Sequence, residues 1–148
     1  MMYVPPFDAL LRGLGTSKEN LEATTDITVP VGLLKLLLQL AVAHSDFDEE
    51  EYLSANPDVQ QAVHRGDVES GQMHYIGYGY FEGRRGGTIR MDERRYLRDN
   101  PDVAAAIREG KISSGEDHFY MIGAGEGRSP NPDQSGDAAE WRQALRAR

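Results

Sequence analysis

The chain contains no cysteine. That excludes a disulfide framework, a thiolate zinc site and a cysteine nucleophile, and it leaves the redox compartment open. Long apolar runs are missing too. The longest, VGLLKLLLQLAVA from Val31 to Ala43, is 13 residues and carries Lys35 and Gln39, too short and too polar to span a bilayer. Basic side chains are in deficit: 148 residues include 24 acids against 16 Lys and Arg, a formal charge of -8. Nucleic acid is therefore not an expected ligand, because phosphate binding needs concentrated Lys and Arg. The opening MMYVPPFDALLRG has no basic stretch followed by an apolar core, so no signal peptide is expected. The expected location is cytoplasmic, with surface exposure or secretion by a non-classical route as the alternative. No Gly-rich loop precedes a Lys-Ser/Thr, and neither Gly-x-Ser-x-Gly nor His-Glu-x-x-His occurs, so the common phosphate-loop, serine-hydrolase and zinc-protease signatures are absent.

What the chain does contain is an internal repeat. YLSANPDV, from Tyr52 to Val59, returns as YLRDNPDV, from Tyr96 to Val103, and a shift of 44 positions aligns 47–84 with 91–128 without a gap. Seventeen of those 38 positions are identical, including Asn56-Pro57-Asp58-Val59 with Asn100-Pro101-Asp102-Val103, His74 with His118, and Glu82-Gly83-Arg84 with Glu126-Gly127-Arg128. This density marks a duplication, with a period in the range of helical repeats. Acidity is uneven: 47–84 holds eight acids and two bases, 91–128 eight acids and six bases.

The repeated letters predict helices. Asp48 and Asp92 read as N-caps, with Phe47 and Met91 positioned to staple against Tyr52 and Tyr96; Glu51 completes a capping box that Arg95 loses in the second copy. Proline disfavours helix in the residue before it, so one helix ends and another begins at Asn56 and Asn100, with Asp58 and Asp102 facing the positive end of the new helix dipole. Asp58 and Asp102 thus read as capping residues rather than ligands or bases. Gly66 and Gly110 close the second helix. Ser70 and Ser114 cap a third, on which His74, Tyr75 and Tyr78 form one stripe, repeated by His118, Phe119 and Ile122; Gly79 and Gly123 end it. Each unit is then three helices of about two turns, marginal alone, so that packing between units is expected to stabilise them.

The expected fold is all-α: two tandem three-helix repeats, 47–90 and 91–128, flanked by an apolar helix within 29–46 and by a linker and C-terminal helix over 129–148. Residues 1–28 read as loosely ordered. Leu33 to Leu40 either pack on the first repeat or close a homodimer. Trp141, the only tryptophan, is expected to dock the last helix on the second repeat.

The unit FDEEEYLSANPDVQQAVHRGDVESGQMHYIGYGYFEGR resembles a bacterial repeat with the pattern Tyr-Leu-x-x-Asn-Pro-Asp-Val, Ser-Gly-x-x-His-Tyr and Glu-Gly-Arg. Such units occur beside glycosyltransferase and other polysaccharide-biosynthesis modules, and in secreted calcium-binding-repeat and surface-layer-like proteins. The resemblance covers 47–84 and 91–128. It implies an accessory role in cell-surface polysaccharide synthesis or secretion and attaches no activity to the unit itself.

Among candidate residues, His74 and His118 could share a metal with nearby carboxylates; the plainer expectation is that each packs beside an aromatic and bonds a backbone carbonyl of its own unit. Glu82 with Arg84, and Glu126 with Arg128, read as local ion pairs at the turn between units. Tyr80-Phe81 corresponds to Ala124-Gly125 in the second copy, so the aromatic pair either packs on the N-terminal helix or is exposed for a partner. The leading expectation is a non-catalytic adaptor without a cofactor, contacting a protein partner through Tyr78, Tyr80, Phe81 and the acidic edge Glu49, Glu50 and Glu51. Carbohydrate binding through the aromatic face is the alternative, and a small enzyme using His74 or His118 with a carboxylate the third reading.

Overall fold

A computed structural model describes residues 3–146. The protein is all-α, with no strand among the described residues. Three helices precede the repeats: α1 (Phe7–Gly13), α2 (Lys18–Ala23) and α3 (Val31–Ala43). The first unit contains α4 (Glu49–Ala55), α5 (Pro57–Arg65) and α6 (Gly71–His74), the last running directly into a π-helical turn, Tyr75–Gly79. The second contains α7 (Glu93–Asp99), α8 (Pro101–Arg108) and α9 (Gly115–His118), again continued by a π turn, Phe119–Gly123. A final helix, α10 (Ser135–Arg146), ends the described chain. The 1–28 stretch, read from composition as loosely ordered, thus holds two short helices; Ser17 caps the second by accepting the Asn20 N–H.

Local signals set most helix starts. Asp48 and Asp92 accept the N–H groups of Glu51 and Arg95 at 2.9 and 3.0 Å, and Ser70 and Ser114 accept those of Met73 and Asp117 at 3.1 and 3.0 Å. Gly66 and Gly110 take the left-handed conformation (φ +77° and +72°) that closes α5 and α8. The capping box does not form. The Asp48 N–H donates instead to Gly87 O at 2.7 Å and the Asp92 N–H to Pro130 O at 3.1 Å, so the segment leaving each unit satisfies the donor that Glu51 was expected to meet. Nor do Asn56 and Asn100 cap through their side chains. Their amides turn back to Tyr52 O and Tyr96 O, both at 2.8 Å, and Asn56 also donates to Arg85 O at 3.0 Å.

Each unit buries its own small core: Tyr52, Val59 and Tyr75 in the first, with Phe47, Leu53, Val63 and Val42 of α3 against them, and Tyr96, Val103 and Phe119 in the second. The expectation that stability comes from packing between units is corrected here. Extensive helix contacts lie within units or join α3 to the first π turn. The units meet through polar and aromatic groups: Arg85 of the first pairs with Asp117 of the second and stacks over its Tyr120 ring at 5.0 Å. The 129–134 segment is likewise anchored rather than a free linker. Asn131 donates to Arg90 O at 2.6 Å and Gln134 to Thr88 O at 3.3 Å. Trp141 does not dock; it is 56% exposed, and α10 approaches the second unit through Arg142, whose side chain lies where a Cβ on Gly127 would sit.

The left-handed exit turn falls at Gly83 and Gly127, while Gly79 and Gly123 close the π turns, where the third helix was expected to end. They are small because the tyrosine hydroxyls of Tyr52 and Tyr96 pass directly over them, so that an added Cβ would overlap each oxygen. Gly79→Ala should therefore destabilise the protein by about 1–3 kcal/mol in urea unfolding, the range for overpacking a filled site. At Gly77, where an added Cβ meets nothing within 4 Å, the same change should be neutral or slightly stabilising, since alanine is the better helix former.

Candidate functional site

Two kinds of side chain must be separated: those the fold consumes and those left at the surface. The histidines belong to the first. The Tyr52 hydroxyl meets His74 Nδ1 at 3.0 Å, and the Tyr96 hydroxyl meets His118 Nδ1 at 2.9 Å. Both phenols are buried; burial pushes that of Tyr52 up to about 12 and raises that of Tyr96, so each stays protonated and can donate. With the phenol as donor, the ring Nδ1 accepts. The expected backbone-carbonyl partner is thus replaced by a hydroxyl from the first helix of the same unit. Among the described residues, no three His, Asp or Glu side chains are grouped to hold a metal ion.

Glu49 is also consumed. Its two carboxylate oxygens accept the N–H groups of Gly71 and Gln72 at 2.6 and 2.9 Å, and Glu93 does the same for Gly115 and Glu116 at 2.6 and 2.8 Å. A carboxylate from the first helix therefore closes the start of the third, satisfying donors that have no partner within that helix. This corrects the reading of Glu49–Glu51 as a free acidic edge: Glu50 and Glu51 are exposed, Glu49 is not. The signal was present, since Glu93 stands beside Arg94 and Arg95 and is the only acid of the three kept in the second copy. Glu51 sits in crowded surroundings; partial burial, then Asp48 and Glu116, push its carboxyl above the usual range.

Asp58 and Asp102 face arginines as well as a helix start. Arg84 bridges Glu82 at 2.7 Å and Asp58 at 2.8 Å; Arg128 bridges Glu126 at 2.7 Å and grips Asp102 with two nitrogens, at 3.0 and 2.8 Å, while also donating to Asn100 at 2.9 Å. The Glu-Gly-Arg exit is thus clasped to the start of the Asn-Pro-Asp helix 26 residues earlier. Arg128 holds the Asp102 carboxyl at about 2, and Arg84 lowers that of Asp58.

The aromatic candidates remain at the surface. The predicted stripe of His74, Tyr75 and Tyr78 splits. The π turn, closed by the Tyr80 N–H to Tyr75 O bond at 2.9 Å, turns Tyr75 and Gly79 inward and leaves Tyr78 67% exposed, its ring 6.0 Å from that of His74. Tyr80 and Phe81 are 37% and 36% exposed. Their rings meet edge to face at 5.2 Å and 87°, Tyr80 also stands edge-on to Tyr75 at 6.0 Å, and Lys35 of α3 lies over Phe81 at 5.7 Å. The pair therefore does both things the sequence left open: each ring keeps one side against the protein and one in solvent. π turns inside helices are frequent at functional positions, and this one carries the exposed Tyr78 and leads directly into the exposed Tyr80 and Phe81. Comparison with protein-family models, with curated proteins and with solved structures returns no match.

Two measurements probe these arrangements. Tyr96→Phe removes one hydroxyl and leaves His118 unpaired, and should cost about 1 kcal/mol of stability in chemical denaturation. In a carboxyl NMR titration Asp102 should titrate near 2 and move up toward the ordinary 3.8 in Arg128→Gln. Because its folded value is depressed, the clasp supports the fold above the ordinary value and that support fades as pH falls through about 2.

Proposed function

We propose that the protein is a non-catalytic interaction module that binds another protein through Tyr78, Tyr80 and Phe81, with Glu50 and Glu51 as a separate acidic contact edge. The observation that carries this reading is the exposure of the three aromatics at positions where the second unit has Ile122, Ala124 and Gly125. Both units fold around the same buried tyrosine and the same Arg clasp, so Tyr80 and Phe81 answer no need common to the repeat. Exposed aromatic residues are the side chains that most often dominate protein interfaces. The non-catalytic reading draws on the histidines: both are held on tyrosine hydroxyls in the same way in both units, as expected of packing residues. The setting we propose, from the resemblance of the repeat, is accessory to bacterial polysaccharide synthesis or export.

Carbohydrate binding is the second reading, favoured by the exposed ring of Tyr78. It is the weaker one, because sugars stack on an open aromatic plane and the edge-to-face Tyr80–Phe81 pair offers none.

Affinity capture from the cells of origin should recover a stoichiometric protein partner with the wild-type chain. Binding should fall roughly thirtyfold or more in Tyr78→Ala/Tyr80→Ala/Phe81→Ala, the loss expected of interface hot spots, with the melting transition retained. Absence of any stoichiometric partner would sink the adaptor. Glycan-array binding that disappears in Tyr80→Ala/Phe81→Ala would transfer the site to carbohydrate.

A further inference from the structure

Helix α3 is packed with its polar side toward the protein. Lys35 lies over the Phe81 ring, and the Gln39 amide donates to Ile76 O at 3.3 Å. Val42, on the same side, enters the first core cluster. At 3.6 residues per turn the opposite side carries Leu33, Leu34, Leu37, Leu40 and Ala41. Leu34 and Leu37 are 47% and 50% exposed, and no charged or polar residue interrupts this face. A surface helix ordinarily arranges itself the other way, apolar stripe inward and polar face outward. Leu33 and Leu40 are half-buried while Leu34 and Leu37 stand open to solvent, and an unbroken apolar strip of this kind marks a surface that another apolar surface covers.

We propose that the cover is a second copy of this chain, with α3 packed antiparallel on α3 about a two-fold axis through Leu37. The spacing supports a self-complementary contact. Leu33 and Leu34 stand four and three residues before Leu37, and Leu40 and Ala41 three and four after it. A two-fold axis at Leu37 sets that residue against its twin and matches Leu33 and Leu34 with Leu40 and Ala41, as an isologous interface requires. Charge selects the same region. Residues 46–128 carry 17 acidic and 10 basic side chains, residues 1–45 only four and three. Two copies approaching through their repeats repel, and through α3 they meet with little net charge on either side. A lipid surface fits less well, because interfacial helices rely on Lys and Arg along their polar face, and the one Lys of α3 is turned onto Phe81.

Light scattering on the purified full chain should give twice the chain mass, and Leu37→Glu should return it to a single chain without changing the helical circular dichroism. Because the protein has no cysteine, Leu37→Cys provides a second readout. Under mild oxidation it should form a disulfide-linked dimer across the axis, whereas Gln60→Cys, on the exposed side of α5, should not. The Tyr78/Tyr80/Phe81 alanine variant should keep the dimer mass. A wild type that remains monomeric up to its solubility limit overturns the proposal. So does Leu37→Cys crosslinking no faster than Gln60→Cys, or a monomer that floats with phosphatidylcholine vesicles.

Discussion

In each unit a tyrosine on the first helix reaches across the interior, passes over the bare backbone of a glycine and ends on a histidine of the third helix. A buried phenol hydroxyl is costly without a partner, and Tyr52 and Tyr96 find theirs only because Gly79 and Gly123 have no side chain in the way. The backbone of Tyr52 and Tyr96 accepts the amides of Asn56 and Asn100, so the same residue also fixes the break between the first and second helices. The staple from Phe47, 5.4 Å from the Tyr52 ring, holds the start of the first helix against it. One side chain thus sets the relative positions of all three helices.

Around that tyrosine the ties are largely polar. Each unit buries only three large apolar side chains, too small a core to specify the arrangement of such short helices. Glu49 and Glu93 clamp the start of the third helix, and Arg84 and Arg128 clamp the exit onto the Asn-Pro-Asp turn. Exposed ion pairs contribute modestly to stability; carboxylates on otherwise unpaired N–H groups contribute more per contact. Their combined effect is geometric: the starts of the first and third helices and the exit of each unit are each fixed by a side chain.

That assignment clarifies what is left over. His74, His118, Glu49, Asp58 and Asp102 all have structural employment, in duplicate. Tyr78, Tyr80 and Phe81 do not, nor does the leucine face of α3. The two surplus surfaces are joined at Phe81, which meets Lys35 of α3 on one side and Tyr80 on the other. The proposed partner site and the proposed self-association face are therefore neighbours, built on residues that the repeat does not need.

Features that depend on the nearest few residues were legible before any coordinates. The all-α class, the Asp48, Asp92, Ser70 and Ser114 caps, the helix break before Pro57 and Pro101, and closure at Gly66 and Gly110 all follow from sterics and hydrogen bonds reaching at most about four positions along the chain. The tertiary structure decided everything that joins distant segments. His74 takes a hydroxyl 22 residues away rather than a carbonyl, and Glu49 serves a helix 22 residues on. Gly87 O, not Glu51, satisfies the Asp48 N–H. Trp141 faces solvent because Arg142 sits closest to Gly127, and Tyr78 does so because the third helix widens into a π turn. The outward leucines of α3 are the clearest case: periodicity reveals that a helix has an apolar face and a polar stripe, but which of them meets the protein depends on what the rest of the chain offers to each.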